Sequence, residues 1–466
     1  MAVAAFPSCG ARRLKARPWL HAVRSSASSP SPPRSPADID GLGTAPTSTT
    51  AASRSFFPKR GQTLELVCES LAFKGKGVCK VVDTGFVLMC DRALPGERFL
   101  GRVSRKKGNH AEVTKLKTIT PHWDLVEAPC EYASACGGCK TQNLAYEAQL
   151  RAKEQQVRDL IVRVGRFPGG DPEFASVLKP IVPCDLKFHY RNKMEFSFGA
   201  WRWIPIDSLS DDQDQIESGY ALGLHAPGFF DKVLHIEKCL LQSEAANKVS
   251  IMNNVNSSVG NTSVGEEEYT LHGKPTITEM LRGLTFQISA NSFFQTNSHQ
   301  AEVLYKLIED CAGLRGDGSE IVLDLFCGTG TIGLTLAKRY FDAGTLLIIS
   351  RVRHVYGYEV VAEAISDAQR NAELNDIHNA TFIQGDLNKI NEKFGSDLPK
   401  ADIVILDPNR PGLHMKLIKY LLKLQAARVV YVSCNPATCA RDLDYLCHGV
   451  ADKVENSNLI IGFALF

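Results

Sequence analysis

Four stretches after residue 290 pair an apolar, strand-like run with a helical or turn pattern, and this repetition constrains the fold more than any other feature. The stretches are EIVLDLFCGTGTIGLTLAKRY, HVYGYEVVAEAISDAQRNAELN, ADIVILDPNRPG and ARVVYVSCNPATCARDLDYL. Strands that alternate with helices predict parallel strands joined by crossover helices. We therefore predict an α/β fold with a doubly wound, Rossmann-like sheet over residues 291–466.

The first of these strands runs into a glycine turn with the spacing Gly-x-Gly-x-x-Gly, which by itself also fits a dinucleotide fingerprint. Acidic residues lie on this strand or at the ends of the next two, at Asp324, Glu359 and Asp386. A carboxylate at such a strand end is suited to two ribose hydroxyls. The pattern favours S-adenosylmethionine (SAM) over NAD as the ligand.

Two further strands end in residues that indicate the acceptor. Asp407 ends one strand, in LDPNRPG, which differs from the Asn/Asp-Pro-Pro-Tyr/Phe motif of amino-group methylation. Cys434 ends the next, in YVSCNPATC, at the same expected edge. A thiol there suits methylation of carbon 5 of a pyrimidine, which is a poor nucleophile until a thiolate adds to carbon 6. The alternative is a buried structural thiol, the role we expect for Cys439 and Cys447.

A cysteine cluster, CEYASACGGCK, lies in the middle of the chain. The chain has 14 cysteines spread over 466 residues, unlike a small disulfide-rich secreted domain. Cys130, Cys136 and Cys139 need a fourth ligand, for which Cys184 and Cys239 are the nearest downstream candidates. By spacing alone, zinc and an iron–sulfur cluster remain equally open.

The amino-terminal part contains two compositionally distinct segments. Residues 1–55 are rich in Ser, Pro, Ala and Arg, which predicts a disordered transit peptide, for the chloroplast or alternatively the mitochondrion; an ordinary disordered tail is the other interpretation. Short β-rich runs with glycine turns over residues 57–118 predict a small barrel. Its basic segment 102–107 either contacts phosphates or is a solvated hairpin tip. No apolar run is long enough to span a membrane.

Together, the motifs resemble those of the RNA (uracil-5-)-methyltransferases, which form 5-methyluridine in ribosomal or transfer RNA. The resemblance covers residues 57–447 and rests on CEYASACGGC, FFQTN, LDLFCGTGTIGL, LDPNRPG and SCNPAT. It implies an RNA-binding TRAM barrel of the OB type at 56–120, a central α+β domain with an iron–sulfur motif at 121–290, and a SAM-dependent methyltransferase domain at 291–466. Ribosomal RNA is the favoured substrate and transfer RNA the alternative.

The resemblance also implies residue roles. Cys434 is the nucleophile that adds to carbon 6 of a flipped-out uridine. A [4Fe–4S] cluster is held by four cysteines: Cys130, Cys136, Cys139 and Cys239. Glu359 holds the SAM ribose and Asp386 lies near the adenine. The remaining residues of the SAM pocket are Gln295, Phe326, Gly328, Thr331 and Asp407. In FHYRNK, Arg191 and Lys193 either face RNA or belong to a surface strand.

The sequence departs from this family in two places. About a dozen extra residues, 340–352, separate the glycine turn from Glu359. Family members also carry a Phe-Pro-x-Thr-x-His-x-Glu-like segment whose glutamate removes the carbon 5 proton, and the sequence after Cys434 lacks it; Glu455 has no matching context. We therefore expect a methyltransferase domain truncated at its carboxyl end. The alternative to an active enzyme is a catalytically impaired RNA-binding iron–sulfur isoform.

Overall fold

The computed structural model describes residues 2–7, 58–72, 75–81, 86–108, 110–170, 172, 177–205, 216–244, 250–255, 267–342, 347–390, 398–449 and 462–465. Within these ranges lie a small barrel, a central region of one long helix and short sheets, and a large α/β sheet. In this part of the chain, no helix has both the length and the apolar composition required to cross a membrane.

The barrel is formed by five of the strands between residues 58 and 120. They are β2 (Thr63–Leu71), β3 (Lys76–Lys80), β4 (Val87–Asp91), β5 (Arg98–Lys107) and β6 (His110–Thr120). They close in the order β2–β3–β4–β6–β5, which confirms the predicted amino-terminal barrel. Side chains alternate between the two faces of a strand, so Phe99 and Val103 of β5 fill the barrel core while the basic side chains of residues 102–107 are exposed.

The central region begins with α1 (Tyr146–Arg163), which contacts β2 of the barrel and also α6 (Pro436–His448) near the far end of the chain. Helix α1 thereby fixes the barrel relative to the large sheet. The remaining elements of this region are β7 (Leu178–Ile181), β8 (Ser197–Trp203), β9 (Ile216–His225), β10 (Val233–His235), β11 (Ser250–Val255), β12 (Glu267–Gly273), β13 (Thr276–Leu281) and β14 (Leu284–Ser289). Strands β8, β9 and β10 form one sheet; β11 with β12 and β13 with β14 form two antiparallel pairs.

The large sheet contains the predicted parallel strands. They are β15 (Ile321–Leu325), β18 (His354–Glu359), β19 (Ala380–Gln384), β20 (Ile403–Leu406) and β21 (Arg428–Ser433), in the spatial order β19–β18–β15–β20–β21. The helices connected with them are α2 (Ser298–Ala312), α3 (Thr331–Ala337), α4 (Ala362–Leu374), α5 (Met415–Leu424) and α6. Consecutive residues of β15 face opposite cores: Val322 packs in the core with α2, α3 and α4, and Leu323 in the core with α5 and α6. The doubly wound fold class is therefore confirmed.

Three strands extend this sheet beyond β21. They are β1 (Ala2–Pro7), antiparallel to β21; β22 (Gly462–Leu465), antiparallel to β1; and β7, parallel to β22. The composition of residues 1–55 predicts disorder, but Ala2–Pro7 pair with the edge of β21, whose backbone groups require hydrogen-bond partners. Residues 8–57 lie outside the described part, so the transit peptide stays a prediction.

The described part of the extra segment 340–352 contributes to an antiparallel pair of strands. Strands β16 (Arg339–Asp342) and β17 (Leu347–Ser350) pair antiparallel, with residues 343–346 between them outside the described part. Strand β18 follows and pairs in parallel with β15 from Ile321 opposite His354 to Leu325 opposite Tyr358. The insertion therefore leaves the register of the strand that carries Glu359 intact.

Candidate functional site

The glycine turn between β15 and α3 is held against the end of β18. The backbone N–H groups of Phe326 and Cys327 both donate to the carbonyl oxygen of Tyr358, over 2.9 and 3.0 Å. Phe326 has a φ of 68° and Gly328 a φ of 53°, so the chain turns through the left-handed region here. A Cβ on Gly328 would meet no protein atom within 4 Å. The turn therefore borders open space that a ligand can approach closely.

The Glu359 carboxylate lies at this turn. Its Oε1 accepts hydrogen bonds from the backbone N–H groups of Val360 and Val361, over 2.7 and 3.1 Å. Its Oε2 lies 3.3 Å from the N–H of Gly328, which donates to it. The strand end predicted from the sequence and the glycine turn thus meet, and the carboxylate is fixed at the rim of the open space.

Two carboxyl groups below the turn are poorly solvated. Asp324 is fully buried; its Oδ2 accepts from the N–H of Gly333 over 2.8 Å, and no partner for its Oδ1 exists among the described residues. Burial raises the pKa of Asp324 to about 7, and the negative charges of Asp407 and Glu359 act in the same direction. Burial also raises the pKa of Asp407 to about 7. A positive charge placed near these carboxyl groups would relieve the repulsion among them.

The other predicted SAM-pocket residues have defined partners. Thr331 Oγ1 and the Tyr305 hydroxyl share a hydrogen bond of 2.7 Å. The carbonyl oxygen of Gln295 accepts from the side-chain amide of Asn192 over 3.1 Å. Asp386 accepts from the N–H of Asn388, which lowers the pKa of the carboxyl. Sequence reasoning missed Tyr305, whose place in the apolar pattern of α2 gave no sign of contact with the glycine turn.

Cys434 lies at the carboxyl end of β21 and is exposed. Asn435, the next residue, caps α6 by accepting from the N–H of Ala437 over 3.2 Å. The carbonyl oxygen of Arg410 accepts from the Asn435 side chain at 2.8 Å and from the Thr438 hydroxyl at 3.0 Å. The loop after β20, which starts at Asp407, is thereby joined to the loop that carries Cys434.

A buried carboxylate beneath these loops reinforces the connection. Asp442 of α6 accepts from the hydroxyl of Tyr431 and from the N–H of Leu413, each over 2.7 Å. Arg441 donates to the same carboxylate and to the carbonyl oxygen of Pro411. The sequence motifs did not predict these contacts. By contrast, Cys439 is buried in the core, as expected for a structural thiol.

The four cysteines proposed as cluster ligands line one cavity of about 500 Å³. The Sγ of Cys136 accepts from the N–H of Gly138 over 3.3 Å, and the Sγ of Cys139 accepts from the side-chain amide of Gln142 over 3.2 Å. Burial raises the pKa of the Cys136 and Cys139 thiols, and the neighbouring thiols of the set raise it further. Cys184 is not among the residues that line this cavity.

The [4Fe–4S] cluster at these residues stays a prediction. In the described ranges, no three His, Cys, Asp or Glu side chains are arranged to hold one metal ion. Each cysteine of a [4Fe–4S] cluster binds a different iron, so its ligands surround a space instead of meeting at a point. N–H donors to the sulfurs, such as Gly138 and Gln142, are a usual feature around such clusters.

The cysteine cavity extends to the loop near Cys434. Arg410 lines it, together with Arg191 and Lys193 of the FHYRNK segment. That segment pairs with FFQTN, because the N–H of Asn192 donates to the carbonyl oxygen of Thr296 over 2.9 Å. Lys193 forms an ion pair with Glu195 at 3.7 Å. The motifs around the cysteines and those of the large sheet thus border a common space.

Comparison with known proteins gives three results. The family model for a methyltransferase domain matches residues 317–459. An uncharacterized RNA methyltransferase of Chlorobaculum tepidum is 32% identical, over 82% of this chain and 90% of the relative. Another, from Halalkalibacterium halodurans, is 33% identical, over 84% of this chain and 92% of the relative.

Among solved structures, the chain is similar to a Pyrococcus abyssi tRNA (uracil-54, C5)-methyltransferase in complex with S-adenosyl-L-homocysteine. The TM-score is 0.56 and the identity 24%, over 82% of this chain and 92% of the other. This likeness shows a shared fold over most of the chain.

Proposed function

Because this chain belongs to the RNA methyltransferases, we propose that it transfers the methyl group of SAM to carbon 5 of a uridine in RNA. Ribosomal RNA is the favoured substrate and transfer RNA the alternative. The observation that carries the proposal is the exposed Cys434 at the carboxyl end of β21, in a loop hydrogen-bonded to the loop that follows Asp407. The uridine specificity of the Pyrococcus abyssi neighbour supports it.

The chemistry follows from the position of the thiol. The Cys434 sulfur adds to carbon 6 of the flipped-out uracil, and the electron pair of the 5,6 double bond moves to carbon 5. Carbon 5 then takes the methyl group that SAM supplies. Loss of the carbon 5 proton to a base and departure of the thiolate restore the double bond and free Cys434.

The residues at the glycine turn fit SAM. Glu359 would hold the ribose hydroxyls, since its carboxylate is fixed beside the open space at Gly328. Asp386 would lie near the adenine, and Gln295, Phe326, Thr331 and Asp407 would complete the pocket. Burial disfavours the charged forms of Asp324 and Asp407, and a sulfonium bound near them would stabilise those forms.

The cysteine cavity would hold a [4Fe–4S] cluster through Cys130, Cys136, Cys139 and Cys239. Its proposed role is structural, or the positioning of RNA, because the cavity that it would occupy extends to Arg410, Arg191 and Lys193. The exposed basic side chains of residues 102–107 on the barrel would contact RNA phosphates. A chloroplast location, with the mitochondrion as alternative, rests on the composition of residues 1–55 alone.

The test is methylation of unmodified ribosomal and transfer RNA by purified protein with SAM, followed by mass mapping of 5-methyluridine. Multiple turnovers on ribosomal RNA are expected, and they require a base that replaces the family's glutamate. No product from protein that is folded and loaded with iron would contradict the proposal. A methylated RNA–protein adduct that accumulates and survives denaturation would instead identify the impaired isoform, which starts the reaction without completing it.

A further inference from the structure

A second cavity, of about 530 Å³, lies between the barrel and α1, away from the cysteines. This volume is in the range of pockets that bind small molecules. Its floor is apolar and is lined by Leu71, Val78, Leu144 and Leu160. The feature that distinguishes it is Trp123, whose side chain forms one wall and is 77% exposed.

Trp123 is exposed but contacts several neighbouring residues. Its ring stacks on the buried His122 with centroids 4.4 Å apart and planes at 29°. The turn around it is fixed on both sides: the N–H of Asp124 donates to His122 Nδ1 over 2.8 Å, and the N–H of Ala145 donates to the carbonyl oxygen of Asp124 over 2.9 Å. A Cβ on Gly96 would lie 2.4 Å from the indole, so the six-membered ring of Trp123 packs closely against Gly96. A fixed, exposed aromatic surface of this kind is suited to a flat ligand.

The charges around the pocket do not oppose an anionic ligand. Each of its three carboxylates already has a basic partner: Glu69 pairs with Lys80 at 2.8 Å, Asp124 with Arg151 at 2.6 Å, and Asp159 with Arg163 at 4.0 Å. The side chains of Arg151 and Arg163 remain 65% and 78% exposed. They can therefore reach a phosphate at the rim while the apolar floor receives a base.

We propose that this pocket binds an unpaired base of the substrate RNA, stacked on Trp123, with its phosphate near Arg151 and Arg163. Bases of single-stranded RNA stack on exposed aromatic side chains in this way. Ala437 also lines the pocket and lies in the first turn of α6, three residues after Cys434. A nucleotide bound there belongs to the same RNA strand as the target uridine. The inference rests on the proposed function only in taking RNA as the substrate.

The test is equilibrium binding of fluorescently labelled polyuridylate and polyadenylate, measured by polarization on the full chain. Trp123→Ala should weaken binding of both polymers about five- to 100-fold, the usual effect of removing one stacking side chain. Trp123→Phe, which keeps a ring, should restore most of the affinity. Leu271→Ala is the matched control, because Leu271 on β12 is 66% exposed and lies outside the pocket, and it should bind as the unchanged protein does.

A second variant, Ala152→Trp, fills the pocket from α1 and leaves Trp123 in place; it should weaken binding similarly. The proposal is overturned if Trp123→Ala and Ala152→Trp both fold and bind RNA with unchanged affinity. It is also overturned if the variants change the oligomeric state but not the RNA affinity, because a second copy of the chain would then occupy the pocket. If Trp123→Ala weakens binding while the unchanged protein forms no 5-methyluridine, the base site stands and the proposed function fails. If Trp123→Ala and the unchanged protein both form 5-methyluridine with the same KM for RNA, the proposed function stands and the base site fails.

Discussion

The side-chain amide of Asn435 donates a hydrogen bond to the carbonyl oxygen of Arg410 over 2.8 Å. This bond joins the two loops at the carboxyl ends of β20 and β21, one of which contains Asp407 and the other Cys434. The same side chain caps α6 through the N–H of Ala437. One residue therefore sets both the start of the helix and the position of the cysteine that precedes it.

Replacing Asn435 with Ala should lower kcat for RNA methylation about 10- to 100-fold, because a small displacement of a reacting group has a large effect on rate. SAM affinity should stay within about twofold, since Glu359 and the glycine turn lie on other strands. Loss of the cap should also destabilise the protein by about 1 kcal/mol. Steady-state kinetics and calorimetric titration with SAM measure these effects.

The control for this prediction is Asn254→Ala, at an exposed position of β11. An unchanged kcat in Asn435→Ala would show that the bond does not position Cys434.

Replacing Cys434 with Ala should abolish 5-methyluridine formation, a loss of at least about 1,000-fold, because the carbon 6 adduct requires the thiolate at this position. RNA and SAM binding should remain. The measurements are mass mapping of product and a denaturing gel for the RNA–protein adduct. Cys184→Ala, at another partly exposed thiol, should retain both signals. An adduct in Cys434→Ala would mean that a different cysteine is the nucleophile.

The parallel strands of the large sheet and their sequence along the chain were predictable, because these strands are continuous apolar runs followed by polar groups. Both the strands and their carboxyl ends can be read from the segments VLDLF, HVYGYE, IVILD and VVYVSC. In a parallel sheet those ends share one edge. This is why Glu359 and Gly328 were expected near each other and are found 3.3 Å apart. The glycines after β15 also predicted a tight turn at this strand end, and Gly328 and Gly330 do adopt positive φ there.

Contacts between segments distant in the chain could not be predicted in the same way. Tyr305 reaches Thr331 from α2, and nothing in an amphipathic helix pattern indicates which strand end it meets. Strand β1 pairs with β21 through backbone hydrogen bonds, which depend little on side-chain identity, so a short Ala-rich run gave no sign of it. Trp123 likewise became informative only when the structure showed it exposed, on a rigid turn beside a pocket.

Replacing Glu359 with Gln should weaken SAM binding about 10- to 100-fold, because a hydrogen bond to a charged group contributes about 1.5–3 kcal/mol. S-adenosylhomocysteine should lose affinity by a similar factor, since the ribose is common to both ligands. Calorimetric titration measures both values. Glu363→Gln, at an exposed position four residues along in α4, should bind both ligands normally. Equal SAM affinity in Glu359→Gln and the unchanged protein would remove Glu359 from the proposed pocket.

The buried carboxyl of Asp324 should make stability fall as pH rises. In the unfolded chain its pKa is near 4, whereas burial raises the pKa of Asp324 to about 7 in the folded state. Between these values the folded state keeps a proton that the unfolded state has released, so the free energy of unfolding decreases from about pH 4 to pH 7 and levels off above. The loss is at most roughly 4 kcal/mol. Asp324→Asn should reduce the slope in this part of the profile, measured by urea unfolding across pH, and leave the contribution of Asp407, whose pKa is raised to about 7 as well. The Asn side chain can still accept from the N–H of Gly333. Asp376→Asn, at an exposed carboxyl, should leave the slope unchanged; an equal slope in Asp324→Asn would show that the carboxyl ionises normally.

The cysteine cavity makes a prediction about iron that does not depend on methylation. Replacing any of the proposed ligands with Ser, at Cys130, Cys136, Cys139 or Cys239, should lower bound iron and acid-labile sulfide in anaerobically purified protein to a small fraction of the unchanged value. Cys184→Ser is the decisive control, because Cys184 was the other candidate for the fourth ligand by spacing but lies outside the lining of the cavity. It should retain full iron and sulfide.

Zinc in place of iron would contradict the cluster, since only the iron–sulfur assignment requires sulfide. Loss of iron in Cys184→Ser but not in Cys239→Ser would mean that the resemblance selected the wrong fourth ligand.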